Sequence, residues 1–389
     1  MEFIDLKTQF RRLEPDIRAR LDAVLAHGRF IMGPEVAELE EKLAGFCGAA
    51  HCVSCASGTD ALLMALLAWG IGPGDAVFVP PFTFFATAEA PALLGATPVM
   101  VDIEPETFLL DPDALEQAVT AVTRRDASLH PLPAAARNAA LRPRLVIPVD
   151  LFGQPADYEA ILSVAAAHDL LVLEDAAQAF GAEYHGRKTC GLGCHCAATS
   201  FFPAKPLGCY GDGGAIFTDD GDLAGVLRSI RVHGKGGGKY DNVRLGLNGR
   251  LDTIQAAVLL AKLPLLAEEL AARRRVAARY ARDLAGIPGL TLPAVRPGRS
   301  SVWAQYCIRL DNGRRDQVAA SLQERGIPVN IYYPAPLHML GAFRDLGYAP
   351  QDMPRALAAS RSVLALPFHP YMEDGDVAAV AGAVREAAA

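Results

Sequence analysis

A continuous apolar run from Leu170 to Leu173 is the feature that most limits how this 389-residue chain can fold. A strand that is apolar at every position is buried on both faces, as in a parallel sheet covered by helices. Glu174 and Asp175 follow the run directly, and open α/β sheets bind their ligands at this carboxyl end of the strands. The run therefore predicts an α/β fold with a functional site close to Asp175.

Strand and helix patterns alternate along most of the chain, which indicates a largely parallel sheet. We predict a large domain over residues 1–250, with helices at its N-terminus, and a smaller α+β domain over residues 251–389 that begins with a linking helix. The segment from Thr123 to Arg144 is rich in Arg, Ala and Pro and lacks clear periodicity. We expect it to be an exposed excursion before a strand at residues 145–149.

Composition and charge narrow the class of protein. Apolar residues make up 51% of the chain and the net charge is −7, which gives no reason to expect a nucleic-acid partner or a membrane surface. The first residues do not form a secretory signal, so we expect a cytoplasmic protein. The eight cysteines include the pair Cys52 and Cys55 and a cluster around His195, but no matching second pair. We interpret them as ordinary thiols and predict no metal site.

Lys205 is the only charged residue in the stretch from Ser200 to Gly208, and it lies between Pro203 and Pro206. An apolar, rigid setting disfavours the ammonium form, lowers the pKa of the amine and leaves a nucleophile that can form a Schiff base. A lysine that extends its ammonium group from an apolar loop into solvent is the alternative interpretation.

Asp175 is a candidate partner for a cofactor cation. A buried carboxylate needs a positive partner, and a lysine Schiff base with an aspartate on the pyridine nitrogen is the arrangement that binds pyridoxal phosphate. A helix cap is the alternative for Asp175. Residues 57–60 combine a hydroxyl, a glycine and a helix start, which suits either an anion site or an ordinary N-cap. The aromatic residues at 82–85 can either stack on a flat ring or pack in the core.

Together these pieces resemble the DegT/StrS family of sugar-nucleotide aminotransferases, which are pyridoxal phosphate enzymes of fold type I. The resemblance covers nearly the whole chain. The segments that carry it, in order, are Gly33–Glu35, Ala56–Ala61, Thr83–Thr87, Glu174–Gly181, Ser200–Lys205, Gly211–Gly214 and Gly246–Asp252. The excursion at 123–144 is longer than in most members, and it lies away from every motif.

The resemblance implies a role for individual residues. Lys205 would form the Schiff base with the cofactor, and Asp175 would keep the pyridine nitrogen protonated. Gln178 would lie near the ring and its 3-hydroxyl side, and Phe84 would stack on the ring face. The other implied cofactor ligands are the phosphate-binding residues Gly58, Thr59 and Ser200, with Asn248 of the neighbouring subunit. The enzyme would therefore be a homodimer with shared active sites. Its cofactor would alternate between pyridoxal phosphate and pyridoxamine phosphate.

The resemblance also implies the substrates. L-glutamate would donate the amino group and a keto-sugar nucleotide would accept it. The chain ends and the segment Tyr333–His338 resemble members that aminate the 3-keto group of UDP-2-acetamido-glucuronate for surface polysaccharide such as lipopolysaccharide O-antigen. Arg250, Tyr333 and His338 would then contact the substrate. The alternatives are another 3- or 4-keto sugar linked to dTDP, GDP or UDP, and a non-catalytic regulatory protein that binds the cofactor. Lys205 argues against the dehydratases of this fold, which carry histidine there.

Overall fold

The computed structural model describes residues 1–238, 240–311 and 313–388. The helices are α1 Leu6–His27, α2 Pro34–Cys47, α3 Gly58–Ala68, α4 Ala86–Leu93, α5 Pro112–Arg124, α6 Ala134–Asn138, α7 Tyr158–Ala167, α8 Gly221–Ile230, α9 Thr253–Lys262, α10 Leu266–Asp283, α11 Arg315–Glu324, α12 Pro354–Ser362 and α13 Asp374–Ala387. The strands are β1 His51–Cys55, β2 Asp75–Val79, β3 Thr97–Met100, β4 Arg142–Val146, β5 Leu171–Asp175, β6 Glu183–Tyr184, β7 Arg187–Lys188, β8 Cys196–Ser200, β9 Gly214–Thr218, β10 Leu290–Thr291, β11 Tyr306–Leu310 and β12 Val363–Leu366. Short 3-10 helices occupy Leu151–Gly153, Leu263–Leu265, Leu337–Met339, Gly341–Leu346 and Pro350–Asp352.

A seven-stranded sheet in the order β1-β9-β8-β5-β4-β2-β3 forms the main layer. Every neighbouring pair in it is parallel except the two pairs that include β9. The sheet is thus mixed and mostly parallel, which confirms the predicted α/β class. The antiparallel β9 lies between the edge strand β1 and β8, the strand that precedes the Lys205 turn.

Helices cover both faces of this sheet. Because alternate residues of each strand point to opposite faces, one strand contributes side chains to the cores on both sides. On β2, Val77 packs with the core that contains α3 and α8, whereas Phe78 packs with the core that contains α5 and α7. The strand interiors are accordingly mostly apolar, as the run from Leu170 to Leu173 predicted, with Ser54, Glu174 and Thr199 among the buried polar exceptions. This arrangement leaves the strand ends as the places where polar side chains gather.

A second sheet of three antiparallel strands, in the order β10-β11-β12, has its own core with α10, α11 and α13. The smaller sheet region packs against the large sheet, since Cys307, Leu337 and Phe343 contribute to the core of the large sheet. The predicted helix over residues 251–284 is present as α9 and α10, joined by a 3-10 turn that contains Pro264. The division into domains 1–250 and 251–389 stays a prediction.

The excursion predicted to be exposed over residues 123–144 is exposed along much of its length but buried in its middle, so that prediction holds only in part. Leu132 and Ala136 belong to the core beneath β2 and β4. His130 Nε2 lies 2.8 Å from the Met100 carbonyl oxygen, and β4 begins at Arg142, earlier than predicted. Isolated alanines and a proline-bounded leucine carry no periodic signal, so their burial depends on contacts that are distant in sequence.

Candidate active site

Asp175 is the last residue of β5, and its carboxylate is buried at the carboxyl edge of the sheet. Its Oδ2 accepts a hydrogen bond from Thr87 Oγ1 at 3.1 Å, and its Oδ1 accepts one from the Ala177 N–H at 3.2 Å. Burial raises the pKa of Asp175, while the Ala177 N–H, the positive charge of Lys205 and the Thr87 hydroxyl oppose that increase. Asp175 therefore lies in the electrostatic range of Lys205 and can hold a further cation.

Lys205 lies in the turn that follows β8. The turn is closed by hydrogen bonds from the Lys205 N–H to the Phe202 carbonyl (2.9 Å) and from the Cys209 N–H to the Phe201 carbonyl (2.8 Å). Burial lowers the pKa of the Lys205 amine, and the negative charge of Asp175 acts in the opposite direction. In the part of the chain that the structure describes, Nζ forms no hydrogen bond. The amine is thus a nucleophile and proton acceptor without a competing partner.

Gly208 closes this turn because no side chain fits there: a Cβ atom would lie 2.4 Å from the Pro203 carbonyl oxygen. Lys262 of α9 supports the same turn from below. Its Nζ donates to the Gly208 carbonyl at 2.7 Å and lies 4.2 Å from the centre of the Tyr210 ring. Burial lowers the pKa of Lys262 to about 8. The sequence analysis missed Lys262, since one lysine in a helical pattern gives no sign of what it contacts.

The N-terminus of α3 has the features that suit an anion. Ser57 is the N-cap and accepts the Asp60 N–H at 3.0 Å, which leaves the N–H groups of Gly58 and Thr59 without acceptors in their own helix. A Cβ atom on Gly58 would lie 2.8 Å from Cβ of Ser200, so the helix start and the end of β8 touch. Free N–H groups, the helix dipole and the Ser200 hydroxyl together suit a phosphate.

Phe84 and Gln178 occupy two further sides of the site. Phe84 belongs to the same turn as Thr87 and is 58% exposed, although neighbouring Phe82 is fully buried. Its ring is therefore free to cover a flat ligand. Gln178 is buried, accepts the Phe152 N–H with Oε1 at 2.9 Å, and donates from Nε2 to Tyr333 Oη at 3.0 Å.

The residues around Lys205 fit pyridoxal phosphate. An amine able to form a Schiff base, a buried carboxylate for the pyridine nitrogen, and a helix N-terminus for the phosphate are the groups that this cofactor requires. Gly58 leaves backbone exposed where a phosphate oxygen needs to approach, and Phe84 leaves a ring face uncovered. We find no alternative partner for Lys205 Nζ among the described residues that would conflict with this use.

The structure brings Tyr333 to this site but gives His338 different contacts. Tyr333 contacts Gln178 and lies edge-on to Phe82 with ring centres 5.8 Å apart, and burial raises the pKa of its hydroxyl. His338 is buried, with Nε2 at 3.2 Å from the Pro350 carbonyl oxygen and its ring against Tyr348. Burial lowers the pKa of His338. Its surroundings are those of a structural side chain.

Asn248 and Arg250 form a separate pair in this chain. Arg250 Nε donates to Asn248 Oδ1 at 2.9 Å, and the intervening Gly249 is held by backbone hydrogen bonds to Arg231 and Ala56. Asn248 is exposed. Within the described residues, no hydrogen bond joins either side chain to Asp175 or Lys205 of the same chain.

The described part of the chain offers neither a metal-binding cluster nor a membrane-spanning helix. It contains no group of three or more His, Cys, Asp or Glu side chains arranged to hold a metal ion. All eight cysteines are free thiols, and seven of them are buried. None of the described helices combines the length and apolar character needed to cross a bilayer.

A mostly parallel mixed sheet that carries a buried aspartate, an unpartnered lysine and a helix N-terminus at one edge defines a fold-type I aminotransferase. The DegT/DnrJ/EryC1/StrS aminotransferase family matches residues 11–385, and the chain belongs to this family. Its sequence is 46% identical over 384 residues to the UDP-2-acetamido-2-deoxy-3-oxo-D-glucuronate aminotransferase of Pseudomonas aeruginosa, covering 99% of each chain. It is also 44% identical to a pleiotropic regulatory protein of Geobacillus stearothermophilus, covering 95% of this chain and 94% of that one. A solved DegT/DnrJ/EryC1/StrS aminotransferase from Brucella abortus superposes with a TM-score of 0.92 at 46% identity over 99% of both chains.

Proposed function

We propose that this enzyme uses pyridoxal phosphate to transfer the amino group of L-glutamate to the 3-keto group of UDP-2-acetamido-2-deoxy-3-oxo-glucuronate. The observation that carries the aminotransferase chemistry is that Asp175, buried and doubly hydrogen-bonded, lies within electrostatic range of the unbonded Lys205 amine. The sugar is inferred from the 46% identity over the full length to the Pseudomonas aeruginosa enzyme.

When bound, the cofactor accepts an amino group, stores electrons in its ring and releases the amino group to a keto compound. Lys205 supplies the amine that attaches to the cofactor between turnovers. Once released, the same amine acts as general base and then as general acid for the proton on the substrate carbon. Its lowered pKa suits this task, because more of the amine is unprotonated near neutral pH than in a solvated lysine.

The other residues bind and orient. Asp175 keeps the pyridine nitrogen protonated, and Thr87 fixes the carboxylate from the side. Gly58, Thr59 and Ser200 hold the phosphate at the start of α3, and Phe84 covers one face of the ring. Gln178 is held by Phe152 and Tyr333, which orients its amide toward the ring's 3-hydroxyl side.

The active site is shared between two subunits of a homodimer. Asn248 completes the phosphate site of the partner subunit and Arg250 contacts the substrate there. The exposure of this segment supports the proposal, since Leu245 is 87% and Val243 is 56% exposed in the single chain. Apolar side chains of that size are commonly covered by a protein partner.

The pathway and compartment follow from the substrate. Amination of a nucleotide-linked uronate supplies a precursor for bacterial surface polysaccharide such as O-antigen, and we place the reaction in the cytoplasm. An aminotransferase for a different 3- or 4-keto sugar nucleotide is the second candidate. A regulatory protein that binds the cofactor without turnover is a third, favoured by the similarity to the Geobacillus protein.

A two-stage experiment separates these candidates. The purified enzyme should show the visible band of bound cofactor, and L-glutamate alone should bleach it. A panel of 3- and 4-keto sugars linked to UDP, dTDP and GDP should then restore the band, fastest with the UDP-linked 3-keto uronate. A band that glutamate does not bleach would contradict catalysis, and faster restoration by another sugar would replace the proposed substrate.

A further inference from the structure

Two carboxyl groups lie buried together directly behind the site. Asp150 follows β4, Glu174 is the residue before Asp175 in β5, and both side chains are fully buried. Because side chains alternate along a strand, Glu174 points away from the face that Asp175 occupies. Neither Asp150 nor Glu174 has a role in the proposed reaction, so the burial of the two acids needs an explanation of its own.

The hydrogen bonds of this pair leave one oxygen on each side chain without a donor. Asp150 Oδ1 accepts the Ala156 N–H at 2.9 Å and Tyr158 Oη at 2.8 Å, and Glu174 Oε1 accepts the Cys190 N–H at 2.8 Å. Asp150 Oδ2 and Glu174 Oε2 are buried and have no donor among the described residues. The two acids are neighbours, since the Asp150 N–H donates to the carbonyl of Asp175, the residue after Glu174, and each side chain affects the pKa of the other.

Charge balance indicates that a proton lies between the two carboxyl groups. Among the described residues, no lysine, arginine or histidine forms an ion pair with Asp150 or Glu174. Two ionised carboxylates without a cation are not stable in a dry interior, whereas one proton between them supplies the missing donor and halves the charge. The other titratable groups that face the pair among the described residues are Tyr158, Asp175, Cys47, Cys190, Cys194 and Cys196.

We propose that Glu174 is protonated and donates to the carboxylate of Asp150, and that this bond positions Asp175 and Gln178 for the cofactor. The proposal rests on the function proposed above for those two residues. It makes Glu174 and Asp150 positioning residues, since neither touches the cofactor.

The backbone connects the pair to the site. The Asp150 N–H donates to the Asp175 carbonyl at 3.0 Å, and the Asp175 N–H donates to the Pro148 carbonyl at 2.9 Å. Two residues after Asp150, the N–H of Phe152 donates to Gln178 Oε1. Phe152 has φ 59°, a left-handed conformation that is uncommon for a side chain of this size. A bond that fixes Asp150 therefore fixes the turn that orients Gln178.

Glu174→Gln and Glu174→Met form a matched test, because both side chains have nearly the length of glutamate but only glutamine can donate a hydrogen bond. In Glu174→Gln we expect kcat for the glutamate half-reaction and the visible band of the bound cofactor to stay within about threefold of wild type. In Glu174→Met we expect kcat to fall by roughly a hundredfold, since a small displacement of a positioned group has effects of that size. Equal behaviour of the two variants would overturn the proposal.

The pH dependence of thermal stability tests the proton independently of turnover. Burial raises the pKa of Glu174 well above its ordinary value and that of Asp150 to about 7. The folded chain then keeps protons that the unfolded chain has released, so the melting temperature of the wild-type holoenzyme should fall as pH rises from about 5 through 7. Glu174→Gln should lose the part of this slope that Glu174 contributes, because an amide does not titrate, and should keep the part that Asp150 contributes.

Glu159→Gln is the control, because Glu159 is an exposed carboxylate on the neighbouring α7, and it should keep the wild-type slope. A slope that is unchanged in Glu174→Gln would overturn the shared proton. If wild type showed no cofactor band, the proposed function would fail, while the melting profiles would still report on the pair.

Discussion

The Thr87 hydroxyl donates to Asp175 Oδ2 at 3.1 Å and so links the turn at the start of α4 to the end of β5. Thr83 lies beside it, with the two hydroxyl oxygens 3.3 Å apart and both side chains buried. The same turn presents Phe84 outward. One short segment therefore holds the Asp175 carboxylate in place and supplies an aromatic ring that can cover a ligand. Because its neighbours hold Asp175, its charge can be removed with little change in structure.

Asp175→Asn should bind the cofactor and lose most activity. The amide oxygen can still accept one of the two hydrogen bonds, so we expect little change in folding. It cannot, however, hold the pyridine nitrogen protonated, and loss of a preorganised charge costs about a hundredfold or more in rate. Single-turnover kinetics with L-glutamate measure the effect. Asp22→Asn, at an exposed position of α1, is the control, and activity within twofold of wild type would leave Asp175 as a helix cap.

Lys205→Ala should fold and lose transamination of glutamate. No hydrogen bond of the Lys205 side chain contributes to the turn, which is held by backbone bonds and by Lys262. The far-ultraviolet spectrum and melting temperature should therefore stay close to wild type while the characteristic visible band of the lysine-bound cofactor disappears. Lys42→Ala, which removes an exposed lysine paired with Glu38, controls for loss of charge. Full turnover by Lys205→Ala without added amines would remove Lys205 from its role.

Lys262 should make stability depend on pH in the alkaline range. It is 2% exposed, and its pKa is lowered from 10.5 to about 8 chiefly by burial. Between these two values the unfolded chain binds a proton that the folded chain has released, so stability should rise with pH across this window. In Lys262→Met that contribution should vanish, and the difference in melting temperature from wild type measures it. A constant difference from pH 8 to 10.5 would contradict the lowered pKa.

The sequence was most informative where every local signal agreed. The run Leu170 to Leu173 predicted a buried strand with a polar end, and the proline-bounded Lys205 predicted a rigid, apolar setting, which the structure shows as a turn after β8. Local pattern could not show that Thr87 reaches Asp175, that Gln178 reaches Tyr333, or that Lys262 reaches Gly208. Those pairs are separated by between 54 and 155 residues, and only the packed structure brings them together.

His338 and the excursion at 123–144 show that local sequence also fails to predict which residues are buried. A histidine in a motif resembles a ligand, yet its ring is buried against Tyr348 and Pro350. A segment of alanines and prolines resembles an exposed loop, yet Leu132 and Ala136 within it are buried in the core. Burial of such residues depends on the partner surface, which their own sequence does not encode.

Hybrid dimers should recover activity if the sites are shared. Each inactive parent lacks one half of the site: Lys205→Ala lacks the amine, and an Asn248→Ala/Arg250→Ala double variant lacks the groups given to the partner. In a mixed dimer one of the two sites has every group intact, so activity should reach a substantial fraction of wild type after subunit exchange. Each parent mixed with itself is the control. Absence of rescue, with exchange verified by differently tagged subunits, would contradict sharing.

The substrate prediction concerns the carboxylate at C6 of the sugar. Arg250 can form two parallel hydrogen bonds to a carboxylate, which a hydroxymethyl group cannot return. In this chain its Nε is occupied by Asn248, and the two terminal nitrogens have no partner among the described residues. We therefore expect kcat/KM for the UDP-linked 3-keto uronate to exceed that for the matching 3-keto hexose by several orders of magnitude, about 10⁴-fold for a site built to pair a polar group.

Arg250→Ala and Arg250→Lys distinguish the carboxylate from other uses of this arginine. If Arg250 binds the sugar carboxylate, Arg250→Ala should lose most of the discrimination between the two sugars, because kcat/KM for the uronate falls. Arg250→Lys should recover part of that discrimination, because a lysine keeps the charge but not the paired geometry. If Arg250 instead binds glutamate, the half-reaction with glutamate should slow in both variants while discrimination between the two sugars survives. Equal use of uronate and hexose by wild type would contradict the carboxylate altogether, since a site with an unpaired guanidinium for C6 should reject the neutral sugar.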